Sequence, residues 1–392
     1  MLHPFGISNL ELGERLRVAR DKAKVTQAEA AQLIGAVRTT LVAIEKGERK
    51  LRLDELQKLA SRYGLSVNSL LRRESIHLDL VPQFRKHSSS HAEEVESASQ
   101  LLNVLVAAEC ELENVLGIVR HRNYPPERPI LPGDVTLQAE HDAADHRRWL
   151  GLGMGPISDV VGVLESDLGV RVYVRPLASN ISGLFAFNEA AGACILLNSN
   201  QPSRLPMTAG HEWGHLASNR RNPSVVSVGD RFTSLEDKYA NAFASALLMP
   251  ASSIKQRFVE MTSGQSHLTR RHIILLAAKF FVSREAVVRR LEELTLVRKG
   301  TWDWFQDNGG ITDEQARAVI GDDAAKQLIA VRSAGPLPQR LSLLAREAAK
   351  AELYSEGQLA RLLQLNRHEV RQVLDGLDME VSEASEQSQI IR

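Results

Sequence analysis

The chain has 392 residues with 48 Lys and Arg against 48 Asp and Glu, so its overall charge gives no sign of a polyanionic partner. At 43% hydrophobic and 24% charged, it has the composition of a globular protein of about two to four domains, which excludes a disordered or fibrous chain. No apolar run approaches the roughly 20 residues of a membrane helix, residues 1–5 lack the regions of a secretory signal, and Cys110 and Cys194 stand far apart in apolar stretches, so a cytoplasmic protein with free thiols and no membrane contact is expected.

Residues 1–75 depart from neutrality, with 14 Lys and Arg against 9 Asp and Glu. Their apolar spacing predicts a run of short helices. Leu12, Leu16 and Ala19 space the first. Thr26 N-caps the second, and Glu29 three residues later completes a capping box. Gly35 turns the chain into a third helix over 37–46, closed by Gly47. Leu53, Leu56, Leu59 and Ala60 mark a fourth, and Val67, Leu70 and Leu71 a fifth. The run T-Q-A-E-A-A-Q-L-I-G-A-V-R-T-T-L-V-A-I-E-K-G-E-R-K, starting at Thr26, resembles the phage-repressor-like (XRE-type) helix-turn-helix family over residues 10–73. The resemblance implies a double-stranded DNA operator with the third helix in its major groove. Arg38, Thr39 and Ala43 would then face base edges, while Gln27, Thr40, Lys46 and Arg49 would hold phosphates. The competing reading is a small helical bundle used for dimerisation, and a homodimer is expected in either case.

Residues 76–134 read as a helical linker region. The polar stretch Lys86 to His91 interrupts it, a long helix spans 94–119, and a proline-rich connection runs through 124–133. A further helix spans 135–150. It carries His141, Asp142, Asp145 and His146 as two i,i+4 pairs, but beside Arg147 and Arg148 these read as a solvated face rather than a second metal site. A helix over 157–168 stops at Gly169. A strand over 170–174 and a hairpin of 183–187 with 194–197 make a small sheet, and an extended substrate is expected to pair with an exposed edge of it.

The stretch Gly210-His211-Glu212-Trp213-Gly214-His215-Leu216-Ala217 contains H-E-x-x-H. On a helix, His211 and His215 lie on one face and can aim two imidazoles at one ion. Glu212 is near enough to act on a water, as in zinc hydrolases, where the ion lowers the pKa of the water and the carboxylate takes its proton. A second helix, 237–249, begins with acids, continues with small and apolar residues and ends at Pro250; it offers candidates for a third ligand. Asn198-Ser199-Asn200, then G-H-E-W-G-H-L, then Y-A-N-A-F-A-S-A-L-L-M-P resemble the ImmA/IrrE family of metallopeptidases from Ile157 to Pro250. That resemblance implies a carboxylate three residues before the Ala of the A-N-x-F-A segment as the third ligand. Asp237 stands there, with Glu236 beside it as the alternative. It further implies a zinc centre, with manganese as the alternative metal, and Glu212 as general base. The expected activity is cleavage of a repressor or antitoxin, encoded beside this gene, in response to stress or another signal. A reading from a different class is a non-catalytic regulator or antitoxin that keeps the metallopeptidase fold as a sensor or oligomerisation body.

Beyond Pro250, helices over 272–281 and 284–296 join at Val282-Ser283 as a helix-turn-helix-like pair. They are expected to pack on the catalytic unit, with DNA contact through Arg284, Arg289 and Arg290 as the lesser reading. Trp302 and Trp304 mark a packing point or a partner contact. Helices span 341–351, 355–363 and 366–377, the last two in helix-turn-helix rhythm, and a Ser/Glu/Gln-rich tail is expected to be disordered. No phosphate-cradling glycine loop and no internal repeat stand out. The expected fold is mainly α with a small α+β unit. A helix-turn-helix bundle (1–75) and the linker region (76–134) precede a zincin-like metallopeptidase domain with a small sheet (135–255). A helix-turn-helix-like extension (256–300), a helical C-terminal domain (301–380) and the tail (381–392) follow.

Overall fold

The computed structural model describes residues 9–63, 70, 92–222, 224–227, 234–264, 267–322 and 337–375. Apart from Leu70, the expected fifth helix lies outside them, as do the polar stretch 86–91 and the C-terminal tail. The chain divides into two units, Met1–His77 with Glu111–Val119, and Leu78–Cys110 with Arg120–Arg392.

The first unit is built on helices α1 (Asn9–Lys22), α2 (Gln27–Leu33), α3 (Arg38–Glu45) and α4 (Leu53–Arg62). Thr26 caps α2, and the predicted capping box with Glu29 forms. Gly35 has φ +69° in the turn between α2 and α3, a conformation that costs glycine little. Leu12, Leu16, Ala30, Ile34, Leu41, Ile44, Leu56 and Leu59 close a single apolar core.

The second unit includes residues 92–110 of α5 (Ala92–Leu116), then α6 (Val135–Trp149) and the single turn α7 (Val160–Gly162). The helix expected over 157–168 is thus shorter. Asp159 caps α7 by accepting from Gly162 N at 2.8 Å, and the next turn opens into a π turn over Val163–Asp167 with Leu164 and Leu168 both buried. Strands β1 (Arg171–Arg175), β2 (Ile181–Asn188) and β3 (Gly192–Asn198) follow, then α8 (Leu205–Ser218), strand β4 (Ser224–Ser227) and α9 (Leu235–Leu248). The sheet order is β1-β3-β2-β4, with β1 parallel to β3 and the other pairs antiparallel. β4 is an additional strand that the sequence reading did not contain, and it covers the edge of β2.

Every residue of α8 except Met207 is buried, which marks a helix surrounded on all sides. The sheet lies on one side of it through β2 and β3, and α9 lies on another, itself backed by α6. Gly210 and Gly214 make the approach to α9 possible. A Cβ on Gly214 would stand 2.7 Å from Ala240 Cα, and one on Gly210 would stand 3.0 Å from Ala244 Cβ.

On α6, the polar residues read as a solvated face turn inward. Asp142, His146 and Arg147 are buried, while His141 and Arg148 remain exposed. Asp142 accepts from Arg128 Nη1 and from Tyr239 Oη of α9, both at 2.8 Å. His146 Nδ1 accepts from Trp213 Nε1 of α8 at 3.0 Å. Burial pushes the His146 imidazole down to about 4, so it packs as a neutral ring against Trp213 and Phe243. The pair Asp142 and His146 is therefore a buried polar layer that fixes α6 against the two site helices, whereas His141 stays on the surface.

The remainder of this unit is helical: α10 (Ala251–Thr262), α11 (Arg270–Phe280), α12 (Arg284–Glu293), α13 (Thr301–Asp307), α14 (Asp313–Ile320), α15 (Gln339–Lys350), α16 (Glu356–Leu362) and α17 (Arg367–Asp375). Of the three arginines of α12, one turns inward and two lie partly exposed in ion pairs. Arg290 is buried and donates to Met249 O and to Glu140. Arg289 pairs with Asp303 and Glu292, and Arg284 with Asp313. Trp302 is half-buried against the core, whereas Trp304 is exposed.

The close approach at Gly214 has a measurable consequence. Gly214→Ala should destabilise the protein by about 1–3 kcal/mol through overpacking. Gly155→Ala, with open space around its Cβ, should stay within about 0.5 kcal/mol. Denaturant midpoints of the two variants provide the comparison.

Candidate metal centre and DNA-reading helix

α8 and α9 bring two imidazoles and a carboxylate together. His211 Nε2 and His215 Nε2 are 3.0 Å apart, and Asp237 Oδ1 lies 3.9 Å from the first and 3.7 Å from the second. Ligand atoms of all three lie within 4.8 Å of one another, and they form the one such group among the described residues. Tetrahedral zinc with bonds of about 2.0–2.2 Å needs donor atoms about 3.3–3.6 Å apart, so this set fits the ion with small adjustments. Glu236, the alternative third ligand, is on the same first turn of α9 but outside the group.

Neighbouring side chains fix the set. Asn241 Oδ1 is 3.0 Å from His211 Nδ1; with the proton on Nδ1, the Nε2 lone pair is left for a metal. Burial holds the His211 imidazole below its ordinary value, which keeps it neutral. Ser234 caps α9 by accepting from Asp237 N at 3.0 Å, and its hydroxyl donates to Asp237 Oδ2 at 2.6 Å, leaving Oδ1 toward the histidines. Phe185 of β2 stacks beside His215 with ring centroids 6.4 Å apart.

Glu212 is wholly buried. Its Oε2 accepts from Ser224 Oγ of β4 at 2.6 Å, and its Oε1 is buried with no hydrogen-bond partner. A Cβ on Gly183 of β2 would stand 3.2 Å from Oε1, so the bare glycine is what leaves room there. Burial pushes the Glu212 carboxyl up to about 8, against the opposing Ser224 hydrogen bond. An unpartnered buried oxygen on an acid next to two imidazoles is costly in isolation, and a nearby dication would remove the cost by favouring the carboxylate. Ser224, Gly183 and Asn241 were not singled out by sequence reasoning. Asn241 lies within the A-N-x-F-A segment, whereas nothing local marks Ser224 or Gly183.

In the first unit, Arg38 and Thr39 open α3 and are exposed, as is Lys46 just beyond it; Gln27, Thr40, Ala43 and Arg49 are half-buried. Arg38 Nε and Nη2 each reach Gln27 Oε1 at 3.3 Å. Gln27 Nε2 donates to Glu45 at 3.0 Å, and the buried Arg20 Nε holds Glu45 at 2.7 Å. Arg38 is thus poised at the helix start by a chain of polar contacts. The Arg49 guanidinium lies on Glu55 at 3.0 Å.

Residues 165–292 match the model of the IrrE N-terminal-like domain, a peptidase family, and residues 16–70 match that of the helix-turn-helix family. The chain joins an IrrE-like peptidase domain to a helix-turn-helix domain. The two matches support a DNA-binding regulator with a metallopeptidase domain, a family that points to a metal cofactor. No curated protein matches the chain. No helix among the described residues is long and apolar enough to cross a membrane.

Titration with zinc should give one equivalent bound to the wild type and none to His211→Ala or His215→Ala. Asp237→Asn should weaken binding and Glu236→Gln should not. Because the Glu212 carboxyl releases its proton only near pH 8, metal affinity should rise as pH goes from 6 to about 8, and Glu212→Gln should keep the metal but lose that rise. For the DNA-reading helix, Arg38→Ala should cost about 1–3 kcal/mol and relax preference at one base position. Lys46→Ala should weaken all sequences alike and lower the salt slope by about 1. Binding titrations against salt separate the two.

Proposed function

We propose that the chain is a transcription regulator with zinc-dependent endopeptidase activity, cleaving a repressor- or antitoxin-like protein in response to stress or another signal. The observation that carries this reading is the burial of Glu212 beside the His211, His215 and Asp237 cluster in a chain that also carries a helix-turn-helix domain. Zinc, or manganese in its place, when held by those three residues, supplies a Lewis acid that polarises the scissile carbonyl and makes the attacking water more acidic. Glu212 takes the proton of that water and returns it to the leaving amine. Ser224 fixes Oε2, and Oε1 remains for proton transfer. Asn241 orients His211.

An extended substrate has sheet edges to pair with. β4 is the edge strand on the Glu212 side, so a peptide there would add to β4 or displace it. Tethering to an operator raises the local concentration of the peptidase around proteins bound at the same promoter, which favours a repressor partner as substrate. A homodimer reading an inverted repeat fits the same picture.

A specific observation favours a second reading, in which the fold serves a non-catalytic regulator as sensor or oligomerisation body. His211, Glu212 and His215 are at most 3% exposed, and β4 already holds Glu212. Incubating the zinc-loaded wild type and Glu212→Gln with the products of adjacent genes separates the two. The peptidase reading predicts cleavage by the wild type, with at least a hundredfold loss in Glu212→Gln at equal metal content, on the order expected for removing a general base. Equal cleavage by both would refute the role of Glu212, and intact substrates with both would favour the regulator.

A further inference from the structure

We propose that residues 339–375 are a second helix-turn-helix, binding double-stranded DNA through Arg367, His368 and Gln372. The proposal rests on a register match inside this chain. Adding 329 to the residue number carries α2 (Gln27–Leu33) onto α16 (Glu356–Leu362) and the start of α3 at Arg38 onto the start of α17 at Arg367. α1 falls on α15 within one residue at each end.

The local devices coincide as well. Ser355 takes the place of Thr26, and each closes a capping box with the residue three further on, Gln358 and Glu29. Gln364, with φ +53°, takes the place of Gly35. The same hydrogen bond closes both turns, Ala36 N to Ala31 O at 2.9 Å and Leu365 N to Ala360 O at 3.0 Å. A residue other than glycine is uncommon in that conformation, so its retention at Gln364 means that the turn itself is required. Buried positions correspond through the three helices: Leu12 with Leu341, Ala19 with Ala348, Ala30 with Leu359, Ile34 with Leu363, Leu41 with Val370 and Ile44 with Val373.

The exposed face of α17 carries the chemistry of a reading helix. Arg367, His368 and Gln372 stand where Arg38, Thr39 and Ala43 stand in the first module, and all three are exposed. His368 and Gln372 are adjacent, one turn apart at 3.2 Å. Arginine matches the two acceptors of guanine, and glutamine matches the donor–acceptor pair of adenine. Gln372 therefore offers hydrogen bonds where Ala43 offers only apolar contact.

Nearby acids are engaged within the module. Glu369 accepts from Asn366 N at 2.8 Å, and Glu356 accepts from Arg371 Nε at 3.1 Å. Arg361 and Arg371 are exposed beside the reading residues, as phosphate contacts need to be. Arg175 of β1 donates to Gln364 O at 2.7 Å and anchors the turn, while residues 366–368 stay open. Overall charge in this segment is nearly balanced, so binding is expected to be weaker and less salt-dependent than at the first module.

The test uses the full-length chain with its first reader silenced by Arg38→Ala and Lys46→Ala, presented with a pool of random-sequence duplex DNA at low salt. A motif should still be enriched. Adding Arg367→Ala and Gln372→Ala should lower affinity for that motif by about tenfold or more with the thermal midpoint unchanged, since both side chains are exposed. Absence of an enriched motif from the silenced chain would overturn the proposal, as would an unchanged motif after the second pair of substitutions. Loss of self-association or of a protein partner with DNA affinity intact would likewise overturn it and assign the face to protein docking.

Discussion

The approach of α8 to α9 through small residues is the constraint on which the rest of the site depends. Gly210 and Gly214 face Ala244 and Ala240, and a Cβ on either glycine would meet the facing helix at 3.0 Å or less. Each glycine is followed by a ligand histidine, and Ala240 is preceded three residues earlier by Asp237 and followed at once by Asn241. A seam one side chain thicker would carry Asp237 away from imidazoles that it now meets at 3.7–3.9 Å. Two residue types with no chemistry of their own therefore set the geometry of the ones that have it.

A helix packed so closely on two sides cannot be moored by apolar contact alone, because its buried polar groups need partners. α6 supplies them, with His146 for Trp213 and Asp142 for Tyr239. The sheet supplies Ser224 to Glu212 and, by omission of a side chain, the space at Gly183. A second buried polar cluster ties α5 to β1: Glu109 holds Arg120 and Arg171 and accepts from Tyr173 Oη at 2.6 Å. Removing one partner from such a cluster leaves an uncompensated charge, so these contacts specify one arrangement of the helices around the sheet.

What the sequence made legible was local. Thr26, Glu29 and Gly35 announce their turn within ten residues, and the spacing of His211 and His215 needs only one helical turn to be read. The polar layer of α6 was misread because its partners lie 67 and 97 residues away; at close range, Asp142 and His146 look like the solvated neighbours of Arg148. β4 has four residues and exists through its pairing with β2, so no periodicity announces it. Pro250 was read only as the end of α9, although it also N-caps α10. The helix-turn-helix rhythm of 355–377 is legible, but its residue-by-residue correspondence with the first module is masked because the turn glycine is replaced by Gln364 and buried Ala30 and Ile44 of one copy are Leu359 and Val373 in the other. Apolar character and register are preserved more than identity.

The central claim is that one ion sits between α8 and α9 on His211, His215 and Asp237. Anomalous diffraction at the zinc edge from crystals of the zinc-loaded protein tests it most directly. The account predicts a single peak about 2.0–2.2 Å from His211 Nε2, His215 Nε2 and an Asp237 carboxylate oxygen, with Glu212 outside the coordination shell. A peak bound by Glu236 in place of Asp237, or no peak between the two helices, would contradict it.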